Sequence, residues 1–124
     1  MRAVENVIVD KSILQELVPL NALPTERFRE VLEKITVEEV LKGKYLFRKG
    51  DMDNQSIYLL EGKINLIDGF RKVSGEVESG TDQSRYPITN QQPRPLSART
   101  VKKCIIARID SGLLNVLLTC DQSS

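Results

Sequence analysis

The chain has 124 residues, enough for one domain with a real core, and 18 lysines and arginines against 17 acids leave a formal charge of +1. So even a balance offers no overall attraction to nucleic acid or to an anionic membrane, and any partner must be recognised locally. The sequence has no histidine, which excludes histidine-based triads and general bases. Its acids form no carboxylate motif, so an enzyme is not expected.

Apolar runs such as Ile105 to Ala107 and Leu113 to Leu118 fall far short of the roughly 20 residues that a spanning helix needs. The start, Met1 to Asn6, carries one basic residue with no long apolar region after it, unlike a secretory signal. The expected location is therefore cytoplasmic, with no membrane partner. Cys104 and Cys120 share no metal-ligand spacing, and no histidine is present to complete a zinc set. They are expected to be structural thiols, and no metal site is expected.

In chain order, Asp10 is placed to cap a short helix running to Leu17, because Ile13, Leu14, Leu17 and Val18 recur at helical spacing. Pro24-Thr25-Glu26 then opens a second helix whose buried face is marked by Phe28, Val31, Leu32 and Ile35. From Thr36 the texture changes to short runs of branched and aromatic residues punctuated by glycine, the pattern of short antiparallel strands. The expected strands are Val37 to Leu41, Tyr45 to Arg48, Ser56 to Leu60, Lys63 to Ile67 and Lys72 to Val77, with turns at Gly50, Asp51, Gly62 and Gly69. Asp68-Gly69 predicts a two-residue type I′ hairpin.

Residues 79 to 96 are polar and interrupted by Pro87, Pro93 and Pro95, which cannot donate ladder hydrogen bonds, so this stretch is expected to be mostly loop. A final strand over Thr100 to Ile109 leads into a helix capped by Asp110 or Ser111. The expected layout is one domain over 1–124, with N-terminal helices in 1–35, a β-roll in 36–109 and a C-terminal helix in 110–120. Leu113, Leu114, Leu117 and Leu118 exceed one narrow buried stripe. Packing against the first helix and a dimerisation patch both remain open for them.

Tyr45-Leu46-Phe47-Arg48-Lys49-Gly50-Asp51, followed by Ile57-Tyr58-Leu59-Leu60-Glu61-Gly62-Lys63-Ile64, resembles the signature of cyclic nucleotide-binding domains. The spacing from Gly50-Asp51 to Gly62 matches without a gap, and the similarity covers residues 10 to 118. The resemblance implies a mainly β fold with flanking helices, the double-stranded β-helix or jelly-roll β-roll of that family, and a regulatory or sensor role.

In that family the ligand is held by a phosphate-binding cassette, roughly Phe-Gly-Glu-Leu-Ala, a few residues, then Pro-Arg-Ala/Ser-Ala-Thr. The Glu accepts from the ribose hydroxyl and the Arg pairs with the cyclic phosphate. Here Tyr86-Pro87-Ile88-Thr89-Asn90 takes the place of the first segment, so the glycine becomes Pro87 and the carboxylate becomes Ile88. Aligning Ser97-Ala98 with the small pair puts Leu96 at the arginine position. Arg94 follows Pro93 as the family arginine follows proline, and Arg99 lies on the other side. The wording Arg85-Tyr86-Pro87-Ile88, Pro93-Arg94 and Ser97-Ala98-Arg99 is similar to a cassette of some bacterial sequences associated with the family, which marks a divergent bacterial member.

The candidate ligand residues are thus Ile88, Thr89, Asn90, Arg94, Ser97, Ala98 and Arg99. For the arginines two readings stand. A shifted register brings a guanidinium to the pocket, or both are solvated loop and strand charges, the commoner fate of an isolated arginine.

Two functional expectations follow. In the first, the module has lost its Glu and Arg, takes no cofactor, and regulates by domain docking or dimerisation. In the second, it senses cAMP, cGMP or another small nucleotide through Arg94 or Arg99 and the amides of Tyr86 to Gln92. Family members usually continue into a lid helix and an effector domain. Neither follows Leu118, nor does a helix-turn-helix, so the chain is expected to be the N-terminal module of a longer protein, its partner a missing effector domain or a second copy. A cupin-type metalloenzyme on a similar roll is disfavoured by the lack of histidine ligands.

Overall fold

The apolar residues divide into two groups, and each builds its own core. The computed structural model describes residues 2–3, 11–89 and 91–119. Its elements are strand β1 (Arg2–Ala3), helices α1 (Lys11–Gln15) and α2 (Thr25–Lys34), then strands β2 (Thr36–Val40), β3 (Tyr45–Phe47), β4 (Gln55–Glu61), β5 (Lys63–Ile67) and β6 (Val73–Glu78). Strands β7 (Ser97–Thr100) and β8 (Cys104–Asp110) and helix α3 (Ser111–Thr119) follow, and short 3-10 turns occupy Leu20–Ala22 and Asp82–Arg85. The result is a mainly β roll with flanking helices. Among the described residues no helix is long and apolar enough to cross a membrane.

The strands form two four-stranded sheets, ordered β1-β2-β8-β4 and β3-β7-β5-β6. Apart from the short parallel β1–β2 pair, every strand pair is antiparallel. Strand β4 shows why the run Ile57-Tyr58-Leu59 is apolar throughout. Side chains alternate across a strand, and here both faces are covered. Ile57 and Leu59 enter the roll interior with Leu46, Phe47, Ile64, Leu66, Val77 and Ile106. Tyr58 points the other way, into a second core with Leu14, Leu17, Phe28, Val31, Ile35, Leu114 and Leu117. The Tyr58 hydroxyl donates to the Val18 carbonyl at 2.8 Å, tying the sheet to the N-terminal segment. Leu113 and Leu118 also pack against this outer core, while Val116 stays exposed.

The second helix forms where Pro24-Thr25-Glu26 points, with Phe28 and Val31 buried. The expected cap Asp10 and the thiol Cys120 lie outside the described residues. Asp110 caps α3, its Oδ1 accepting the Leu113 N–H at 2.9 Å. Burial of the Cys104 thiol pushes its pKa up, and the thiol lies within hydrogen-bond reach of the Lys63 and Lys102 carbonyls.

Two expectations need correction. The single strand over Thr100 to Ile109 is two strands, β7 and β8, separated by a turn at 101–103 that has no glycine or proline to announce it. In that turn the Val101 N–H bonds to the Lys63 carbonyl at 2.9 Å. The β5–β6 connection is also not a type I′ turn on Asp68-Gly69. The Asp68 carbonyl accepts the Arg71 N–H at 3.1 Å, and Arg71, at φ 65°, takes the left-handed conformation while Gly69 does not. The cause is the Asp68 side chain, whose Oδ1 accepts the N–H groups of Phe70 (2.8 Å) and Lys72 (3.0 Å) and holds a longer loop.

Candidate functional site

The loop from Tyr86 to Leu96 closes one end of the roll. It is pinned at Ile88, whose N–H donates to the Ile57 carbonyl at 2.8 Å and whose side chain is 3% exposed among the interior apolar residues. At its far end the Gly50-Asp51 turn grips the loop backbone. The Gly50 N–H donates to the Arg94 carbonyl at 2.7 Å, and the Arg94 N–H donates to the Asp51 carbonyl at 2.9 Å. Gly50 sits at φ 92°, where a glycine avoids the steric penalty of a side chain.

This grip drives Arg94 inward until it is 1% exposed. A guanidinium has five N–H donors and no acceptor, and here every donor is taken. Nε donates to Asp53 Oδ2 at 3.0 Å and Nη2 to Asp53 Oδ1 at 2.6 Å, a two-point pair. Nη2 also donates to the Gln55 carbonyl, and Nη1 to the carbonyls of Ile88 (3.2 Å) and Thr89 (2.9 Å). The Phe47 ring lies 4.1 Å from the guanidinium carbon and covers its face. Arg94 is therefore not a solvated loop charge. Nor does it present a free N–H to a ligand.

The carboxylate is fixed as firmly. Asp53 Oδ1 also accepts the Gln55 N–H at 3.0 Å and the Gln92 side-chain amide at 3.3 Å. Burial raises the Asp53 pKa, but the Arg94 and Gln55 hydrogen bonds, the Arg94 charge and the Gln92 bond together outweigh it. The net value is below the ordinary carboxylate one.

The remaining candidate residues do not converge on Arg94. Ser97 Oγ accepts the Lys49 N–H at 2.8 Å. Ala98 is buried in the roll interior, opposite Leu66 and Phe47. Arg99, one residue on, faces outward by strand alternation. It is exposed, bonds weakly through Nε to the Gly43 carbonyl at 3.4 Å, and lies 5.8 Å from the Tyr45 ring. Arg99 thus keeps the character of a solvated strand charge. Asn90 lies outside the described residues. Leu96 packs against the interior core.

Beside the loop a cleft of about 220 Å³ is lined by Leu66, Val77, Gln83, Tyr86, Pro87, Ile88 and Thr89, with no charged side chain among them. The Thr89 hydroxyl on this cleft and Gln92 Oε1 are buried without a hydrogen-bond partner.

Solved structures with this arrangement of strands are cyclic nucleotide-binding domains. A cyclic nucleotide-binding protein from Geobacter metallireducens superposes with a TM-score of 0.72 at 16% identity, over 94% of this chain and 86% of that one. The sensor domain of the transcriptional regulator DNR from Pseudomonas aeruginosa gives 0.70 at 17%, over 92% and 91%. The cAMP-bound PfPKA-R gives 0.70 at 16%, over 91% of this chain but only 40% of that one. The chain has the cyclic nucleotide-binding fold. No family model matches the sequence, and no curated protein does. At such low identity the likeness carries the fold and leaves the ligand to be argued from the site.

Within the cyclic nucleotide-binding fold, the loop's distinguishing partner is Asp53, which sequence reasoning missed. It lies 41 residues before Arg94, and its only local signal is the polar turn Asp51-Met52-Asp53-Asn54. Gln55 and Phe47 were missed as partners of Arg94 for the same reason, since both reach it only through the closure of the roll.

Proposed function

We propose that this chain is a non-enzymatic regulatory module that works by docking to an effector domain or to a second copy, with its cyclic-phosphate site closed from within. The observation that supports this reading is the complete internal use of Arg94. To meet a cyclic phosphate it would have to break a two-point ion pair and three carbonyl bonds around a guanidinium that is itself buried. The positions that the family register assigns to Glu and Arg hold Ile88 and Leu96, and both contribute to the apolar interior. Among the described residues no charged group lines the adjacent cleft, so a phosphate entering it meets no charge-assisted donor from them.

A thermal-denaturation titration tests this. A ligand that binds the native state at 100 times its Kd adds about 2.7 kcal/mol of stability, which raises the Tm of a domain this size by several degrees. Millimolar cAMP and cGMP are expected to leave the Tm unchanged. A saturable rise with either would overturn the closed-site reading.

A second reading keeps a ligand but changes its chemistry. The buried, unpartnered Thr89 hydroxyl beside the uncharged cleft favours a small neutral molecule over a nucleotide. A rise in Tm with uncharged compounds in the same titration, and none with cyclic nucleotides, would select it.

A further inference from the structure

The outer face of the β3-β7-β5-β6 sheet carries a groove of about 300 Å³. Ile67, Val73 and Val101 give it an apolar lining, and Lys42, Arg71 and Arg99 are the charged residues around it, with no acid among the lining residues. Large apolar side chains stand exposed beside it. Phe70, next to Arg71 at the hairpin tip, is 83% exposed, Val73 is 56% exposed and Leu41, next to Lys42, is 60% exposed. Among the described residues no carboxylate pairs with Lys42, Arg71 or Arg99.

The backbone places Arg71 at the edge of this groove. Arg71 holds φ 65°, a conformation that costs a residue with a side chain about 1 kcal/mol and glycine almost nothing. The same turn contains a glycine, Gly69, at a position with no positive φ. The Asp68 carboxylate that organises this loop holds Arg71 in that conformation and so sets it at the edge of the groove.

We propose that this groove docks an acidic protein segment bearing apolar side chains, the carboxylates meeting Lys42, Arg71 and Arg99 and the apolar groups covering Ile67, Val73 and Phe70. This inference rests on the docking reading and names its surface. Charge complementarity selects an acidic partner and sets its approach. The concave apolar lining suits side chains better than the flat surface of a bilayer. A nucleic-acid backbone would leave Ile67 and Val73 uncovered, whereas the apolar side chains of a peptide cover them.

The test uses the full chain and a short fluorescein-labelled peptide of alternating glutamate and leucine, followed by fluorescence anisotropy. The expected result is saturable binding that weakens as salt rises, with a roughly tenfold loss of affinity in Arg71→Gly. That variant should melt no lower than the parent, because glycine relieves the left-handed backbone. A purely structural Arg71 would instead lower the Tm and leave the affinity alone, overturning the proposal. So would absence of peptide binding, equal binding of a lysine-leucine peptide, or binding of anionic phosphatidylserine vesicles without binding of the peptide. Failure of the peptide with cAMP still inert would remove the groove and leave the docking reading. A cAMP-dependent rise in Tm would remove the docking reading whatever the peptide does.

Discussion

Asp53→Ala is expected to lower the free energy of unfolding by about 2–3 kcal/mol, because it strands the buried Arg94 guanidinium, while the partly exposed Asp53 side chain keeps the loss below that of a fully buried pair. Arg94 is 1% exposed and cannot rehydrate without opening the loop, so the loss falls on the whole roll end rather than on one contact. Urea denaturation of both proteins measures it. A loss below about 1 kcal/mol, the range of exposed pairs, would show that the pair behaves as a surface contact. The pH dependence has a definite sign. The folded Asp53 pKa lies below the ordinary value of 3.8, so the carboxylate's contribution is complete above 3.8 and is lost as pH falls through the folded value. The gap between the parent and Asp53→Asn should therefore be constant near neutrality and shrink in acid.

Gly62→Ala is the second large effect expected. Gly62 links β4 to β5 at φ 109°, and a Cβ there would stand 2.6 Å from Cys104 Sγ, 2.8 Å from the Lys103 carbonyl oxygen and 3.0 Å from Cys104 Cα. Two of these atoms are backbone at the start of β8, so relief requires moving a strand that pairs with both β2 and β4. Left-handed strain of about 1–3 kcal/mol and overpacking of about 1–3 kcal/mol together give a loss of roughly 2–6 kcal/mol. Gly50→Ala is the internal control, since Gly50 shares the positive φ but has no atom within 4 Å of the added methyl. It should lose only the strain. Equal Tm shifts for the two variants would show that the Cys104 contact is relieved without cost.

The same residues show what sequence could convey. The motif Gly50-Asp51 to Gly62 was legible because fold signatures sit in turns, where backbone conformation restricts residue type within a few positions. Strand β5 appears at its expected bounds, Lys63–Ile67, because a glycine and an aspartate bracket an apolar run. The break between β7 and β8 was illegible, because Val101-Lys102-Lys103 turns without glycine or proline. The Asp68-Gly69 turn was misread because a side-chain carboxylate, not the glycine, organises that loop. Arg94 was the deepest difference. Local sequence offers an arginine beside prolines, a pattern equally suited to a ligand, to solvent or to an internal partner. Only closure of the roll brings Asp53 and Phe47 to it.

The central claim is that Arg94 is held inside the protein rather than offered to a phosphate. Nitrogen-detected NMR of the Arg94 Nε–H, assigned by its loss in Arg94→Lys, tests this most directly. The account predicts a resolved, slowly exchanging signal, protected by the bond to Asp53, that does not move when millimolar cAMP is added. A fast-exchanging Nε–H, or one that shifts saturably with cAMP, would contradict it.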